Sequence, residues 1–205
     1  MKIVLMDVDD TLYPKDTGPF LHVTRRIDEY VMSWCGIGPE ETGKLRKKYI
    51  SAYGSTLGGL MRHHGVDPDH YLKAVHDVPV EELLARDERL AGVLSGIPGE
   101  MVIFSNGSRD YVRRVLDALG IASCFSDLFT IEFMDYVPKP RTYPFRKVME
   151  LYGNSPSDFV LVDDRLPNIL KARELGMGSV MVGEGPCLQE TLMIPDIYAI
   201  SQVVS

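Results

Sequence analysis

Cysteine is scarce in this chain: Cys35, Cys124 and Cys187 are widely separated and form no CxxC pair. An odd, scattered set signals neither a disulfide framework nor a zinc knuckle, and a reducing cytoplasm fits it best. Excess positive charge is missing too. Lys and Arg number 22 against 29 Asp and Glu, a formal net charge of −7, whereas a nucleic-acid polymer calls for a dominating basic face. Small anions stay open if a few cations converge. Long apolar runs are absent, none approaching the roughly 18 residues of a membrane span. Only four apolar residues separate Lys2 from Asp7, too few for a signal-peptide core. The expectation is a cytoplasmic protein with no membrane or nucleic-acid partner, monomer or homodimer. Internal repeats and low-complexity tracts are also missing.

What is present suits one sizeable core, or a core carrying an insertion, in 205 residues that are 45% hydrophobic. "KIVLMDVD" is a continuous apolar run ending in acids, the pattern of a parallel strand covered on both faces. It returns in "MVIFSN" and "DFVLVDD", and more weakly in "LFTI", "GSVMVG" and "DIYAI". Helical patterns lie between these runs: "SRDYVRRVLDALG" with Ser108 as N-cap and Gly120 as stop, and "PNILKARELG" with Pro167 in its first turn. Alternation of this kind predicts an α/β fold, a doubly wound, Rossmann-like parallel sheet. Residues 15–85 differ, with four helix-like segments closed by Gly or Pro and no strand-like run. They predict a small all-helical unit inserted after the first strand of a core formed by 1–14 and 86–205.

In doubly wound sheets, ligands bind beyond the carboxyl ends of the strands. Those ends carry Asp7 and Asp9, then Ser105 and Asn106, then Asp163 and Asp164, while Lys139 sits in "VPKPRTYPF" before a further helix. So many carboxylates cannot all stay ionised in one dry pocket without cations. Oxygen ligands with room for water suit Mg²⁺, and Lys139 adds a second positive charge. Such a site attracts a phosphate group, whose transfer needs positive charge around its oxygens.

The ordered set DxDxT (Asp7, Asp9, Thr11), Ser105, Lys139 and paired acids (Asp163, Asp164) resembles the haloacid dehalogenase-like hydrolase superfamily along the whole chain. "DVDDTLYP", "YGSTLGGLMRHHGVDPDHY", "VPKPRTYPF" and "VDDRLPNILKARELGM" are most similar to its pyrimidine 5′-nucleotidase group. The resemblance implies a Mg²⁺-dependent phosphatase of a small phosphorylated metabolite, with residues 15–85 as a cap. Asp7 would be the nucleophile and a metal ligand, and Asp9 the acid and then base, binding metal through its carbonyl. Ser105 and Lys139 would hold the phosphoryl group. One of the paired acids, Asp164 in the first instance, would ligate the metal directly, and the other, Asp163, would hold a metal-bound water or Lys139; the spacing also admits the exchanged roles. Thr11 would support Asp9, Asn106 and Gly107 would offer free backbone N–H groups, and Tyr13, Tyr53, Leu57 and Arg62 are candidates to meet the leaving group. The dehalogenases lack an acid at the place of Asp9, because halide leaves without a proton.

Taken singly, these residues have blander readings: an acidic turn, an N-cap pair, a loop lysine. Tyr30 and Trp34 read as cap core, Arg46, Lys47 and Lys48 as a solvated face, His63 and His64 as surface or rim, and Asp10 as a turn residue facing away. Arg165 stands where relatives often have Ser, and Thr142 where Pro is common. Alternative readings are a phosphatase of a sugar phosphate, phosphoglycolate or pyridoxal phosphate, or a non-catalytic binder of a phosphorylated metabolite.

Overall fold

The computed structural model describes residues 2–15, 17–153, 155–184 and 191–203. Cys187 lies outside them; Cys35 and Cys124 are free thiols. Six strands form one parallel sheet: β1 (Ile3–Met6), β2 (Glu100–Phe104), β3 (Asp127–Phe129), β4 (Phe159–Asp163), β5 (Gly178–Val182) and β6 (Leu192–Ile194), in the order β3-β2-β1-β4-β5-β6. β1 is central because each of its four residues is apolar and buried. Its side chains alternate between faces, as strand geometry requires. Val4 and Met6 join a core containing Leu90, Leu94, Val112 and Val115, while Ile3 and Leu5 join one containing Phe145, Val148 and Ile169. Strand order reverses beside β1, and the carboxyl ends of β1, β2 and β4 open on one crevice, the place this topology gives to ligands.

Between β1 and β2 come α1 (Pro19–Cys35), α2 (Pro39–Tyr53), α3 (Thr56–His64) and α4 (Pro68–Val75), then α5 (Val80–Leu83) and α6 (Glu88–Ser95). Proline opens α1, α2 and α4, and left-handed Gly36, Gly54 and Gly65 close α1 to α3, the asymmetry expected of helix ends. α2 crosses α3 with Gly59 beneath the Tyr49 ring, where a Cβ would come within 2.0 Å of Tyr49 Cγ. The remaining helices are α7 (Arg109–Leu119), α8 (Thr142–Tyr152) and α9 (Leu166–Glu174). No described helix is long and apolar enough to cross a membrane.

Three local expectations fail. "DIYAI" forms a 3-10 helix over Ile197–Gln202, because Asp196 accepts from Tyr198 N and starts a turn; the last strand is instead Leu192–Ile194. Trp34 is not interior: it is 46% exposed and stacks on Tyr30 at 5.5 Å between ring centroids. Ser108 occupies the N-cap position of α7 without capping it, its hydroxyl pairing with His76 Nδ1 at 2.9 Å. Arg109 N donates to Glu132 Oε1 at 2.9 Å instead.

Candidate active site

The site begins where β1 stops. Asp7 N still donates to Val162 O at 2.9 Å, continuing the pairing with β4. The chain then turns: Leu12 N donates to Val8 O at 2.9 Å, and Asp10 takes a left-handed conformation with φ 59°, which Asp tolerates better than most residues. This turn places Asp7, Asp9 and Asp10 on the wall of one cavity of about 190 Å³. Asp10 therefore does not face away. Ser105, Asn106, Gly107, Lys139, Asp164 and Arg165 line the same cavity.

Lys139 is the electrostatic centre, 1% exposed, and its Nζ donates to Asp7 Oδ1 at 2.9 Å, Asp163 Oδ2 at 2.8 Å and Phe104 O at 2.5 Å. Three acceptors use all three ammonium donors. Burial pulls its pKa down, but Asp163 and Asp7 outweigh burial and hold it above the usual lysine value. Asn106 fixes the backbone of the lysine loop, accepting from Lys139 N on Oδ1 at 2.8 Å and donating from Nδ2 to Lys139 O at 3.1 Å. Asn106 thus acts through its side chain, beyond the backbone role expected of it. Gly107 N is committed to Ser105 Oγ at 3.0 Å, so it is not the free donor expected. Ser105 Oγ, accepting there, keeps its own proton for another acceptor.

The paired acids separate in role. Asp163 is fully buried and saturated: Oδ1 accepts from Arg165 N and Asn168 Nδ2, and Oδ2 from Lys139 Nζ and Asn168 Nδ2. Asp164 Oδ1 is buried with no hydrogen-bond partner among the described residues, a costly state for a carboxylate oxygen. Oxygens of Asp7, Asp163 and Asp164 lie within 4.8 Å of one another, close enough to share a hard cation, and the orphaned Asp164 oxygen fits that group. Burial, then like charge from Asp163 and Asp10, pushes Asp164 up to about 7. Burial likewise drives Asp7 well above the carboxylate range against the pull of Lys139. Asp9 rises to about 6, mainly through burial, while hydrogen bonds from Tyr13 and Tyr111 oppose the rise.

Other expected residues stand apart. Arg62 is exposed on α3 and does not line the cavity, because the helix turns that position outward. Tyr13 is buried and donates to Asp9 Oδ1 rather than facing a leaving group. Thr11 gives Asp9 no hydrogen bond; its buried Oγ1 has no partner among the described residues. Tyr53 pairs with His63 away from the cavity, His64 bonds Tyr49, and Leu57 does line the cavity.

Sequence reasoning missed four residues. Arg46 is not solvated: its NH1 donates to Asp28 Oδ1 at 2.7 Å, and the residue lines the cavity. Asn168 anchors Asp163 from the first turn of α9. Tyr111 reaches Asp9 from α7, and His76, which lines the cavity, stacks on Tyr111 at 4.5 Å. Burial lowers His76 to about 4, so it is neutral near pH 7. The usable signal for Tyr111 and Asn168 was position, since each falls in the helix that follows a site-bearing strand. Phe20, Val23, Ile27, Ile50 and Leu72 supply an apolar remainder to the cavity wall.

A family profile described as haloacid dehalogenase-like hydrolase matches residues 1–176. Phosphate metabolism protein 8 of Saccharomyces cerevisiae is 24% identical over 195 residues, covering 88% of this chain. The match spans 61% of that relative's own length. Among solved structures, L-2-haloacid dehalogenase from Xanthobacter autotrophicus aligns with a TM-score of 0.62 at 16% identity, over 100% of this chain and 98% of that one. A HAD phosphatase from Thermococcus onnurineus aligns with a TM-score of 0.62 at 21% identity, over 99% and 97%. These two likenesses concern the fold.

Proposed function

Because the chain belongs to the haloacid dehalogenase-like hydrolase family, we propose that it hydrolyses a small phosphomonoester, with a pyrimidine nucleoside 5′-monophosphate as first substrate. The observation that carries this reading is Asp9, a half-buried acid with its pKa raised to about 6, on the wall of the same cavity as Asp7. A departing alkoxide needs a proton from such a group and a halide does not. The dehalogenase in the comparison shares the fold, which does not decide the reaction.

Residues 15–85 serve as the cap, their apolar wall excluding water from the leaving group. Ser105 donates to a phosphoryl oxygen, and Lys139, holding Asp7, adds positive charge beside the phosphoryl group. A carboxylate oxygen of Asp7 attacks phosphorus, the phosphorus–oxygen bond to the leaving group breaks, and Asp9 gives its proton to the departing oxygen. Asp9, now ionised, takes a proton from the water that attacks the aspartyl phosphate, which restores Asp7 and frees phosphate. Asp163 positions Lys139. Mg²⁺, held by Asp7, Asp164 and the carbonyl of Asp9, would supply positive charge against the phosphoryl oxygens; the orphaned Asp164 Oδ1 supports that assignment.

A panel of phosphomonoesters assayed with Mg²⁺ and with EDTA tests the reading. UMP or CMP should outpace sugar phosphates severalfold, and Asp7→Asn should abolish turnover. Turnover that survives Asp7→Asn, or a panel with no substrate in it, defeats the mechanism; equal rates across the panel defeat the nucleotide preference alone.

A further inference from the structure

Two phenols converge on one oxygen of Asp9. Tyr13 Oη donates to Asp9 Oδ1 at 2.5 Å, and Tyr111 Oη donates to the same atom at 2.7 Å. They come from segments 98 positions apart, their hydroxyls are 3.3 Å from each other, and both rings are buried. Neither lines the cavity that Asp9 faces, so neither is placed to touch substrate. A phenol has one proton to donate, and here each is directed at the same carboxylate oxygen.

The geometry points to Tyr13 and Tyr111 as positioning residues that fix which oxygen of Asp9 carries the transferable proton. Two donors occupy the two acceptor sites of Oδ1, so the proton rides on Oδ2, and rotation of the carboxyl about its own axis would break both bonds. Neutral Asp9 otherwise has two equivalent protonation sites and a broad terminal torsion. Fixing one of them removes the unproductive half of the arrangements and holds the acid in line with the leaving oxygen. This inference rests on the phosphomonoesterase reading, in which Asp9 moves a proton from Oδ2 to the departing oxygen.

Packing holds each phenol in place. The Tyr13 ring lies over Gly18, where a Cβ would come within 2.3 Å of Cε2. Tyr111 is stacked at 12° on His76, whose Nδ1 is paired with Ser108 Oγ. Two tyrosines that merely needed partners could each have used a different acceptor. Their convergence on the acid, and on one atom of it, is what a structural role leaves unexplained.

The test compares Tyr13→Phe and Tyr111→Phe with the wild-type protein on an alkyl monoester and on p-nitrophenyl phosphate, whose leaving group departs without a proton. Each variant should lose about tenfold or more in kcat on the alkyl ester, part of the gain an oriented acid supplies. KM should change little, and the loss on p-nitrophenyl phosphate should be clearly smaller; turnover of that ester also shows that the variant is folded. Equal losses on the two esters, or no loss on either, overturn the inference. The carboxyl ¹³C signal of Asp9, identified by its disappearance in Asp9→Asn, gives a readout free of substrate. It should move in both Phe variants. If the wild-type protein hydrolyses no monoester, the phosphatase reading fails by itself, and an unmoved carboxyl signal still overturns the positioning role of the two tyrosines.

Discussion

Lys139 is a single cation set between two buried carboxylates, and its removal is a sharp test at the scale of one residue. Lys139→Met would leave Asp7 and Asp163 without their shared partner, and breaking a buried pair in this way costs about 3–5 kcal/mol. Chemical denaturation should show a loss of that order together with loss of turnover; an unchanged midpoint would mean that the carboxylates are neutral in the native state. Asp164→Asn should act differently, leaving the fold near wild type but raising the Mg²⁺ concentration needed for half-maximal activity about tenfold or more. An unchanged Mg²⁺ requirement would remove Asp164 from the metal site. The placement of Asp7, Asp9, Ser105, Lys139 and Asp164 around one cavity was legible because each directly follows a strand-like run or sits in an ordered motif. Tyr13, Thr11, Arg62 and Asp10 were misread because the direction of a side chain in a turn, or its angle around a helix, depends on dihedrals that no spacing reveals. Tyr111 was hidden for another reason: its partner lies 102 positions away.

At the scale of elements, intrinsic preference and packing disagree at Gly59 in α3. Alanine in a helix is favoured over glycine by about 1 kcal/mol, yet the new Cβ would lie 2.0 Å from Tyr49 Cγ, an atom close to the α2 backbone that cannot swing aside. Overpacking of this kind costs about 1–3 kcal/mol, so Gly59→Ala should lower the denaturation midpoint; a raised midpoint would show that α2 and α3 separate easily. β1, β2 and β4 could be read from the sequence because parallel strands covered on both faces are continuous apolar runs. β6 could not, being three residues at the sheet edge with Leu192 49% exposed. The helices α1 to α4 announced themselves through the Pro and Gly at their ends, but which aromatic faces inward did not. Trp34 sits on the helical stripe of Tyr30, and only packing with α4 decides that Tyr30 is the more covered of the two.

For the molecule as a whole, the acidic site couples stability to pH and metal. The fold holds Asp9 at about 6 and Asp164 at about 7, above their ordinary value of 3.8, so the native state binds protons more tightly than the unfolded chain. That stabilisation is complete below about pH 4 and is lost as pH rises through 6 and 7. A bound cation favours the ionised acids and works the other way. Metal-stripped protein should therefore melt several degrees lower at pH 8 than at pH 5, and Mg²⁺ should raise the melting temperature more at pH 8. A Mg²⁺ effect that is larger at pH 5 would contradict this linkage.

The central place of β1 has a consequence for how the chain is made. Its partners β2 and β4 are encoded far downstream, and the lysine that neutralises Asp7 follows it by 132 positions. As the protein emerges from the ribosome, β2 is made before Lys139 and β4, so the first strand can gain one neighbour while the acids at its end still lack the lysine that balances them. Parallel pairing over such distances closes late and slowly. A nascent chain stalled before residue 139 can pair β1 with β2, but Asp7 then lacks its lysine, so the residues proposed for chemistry leave the unfinished core less stable than the finished one.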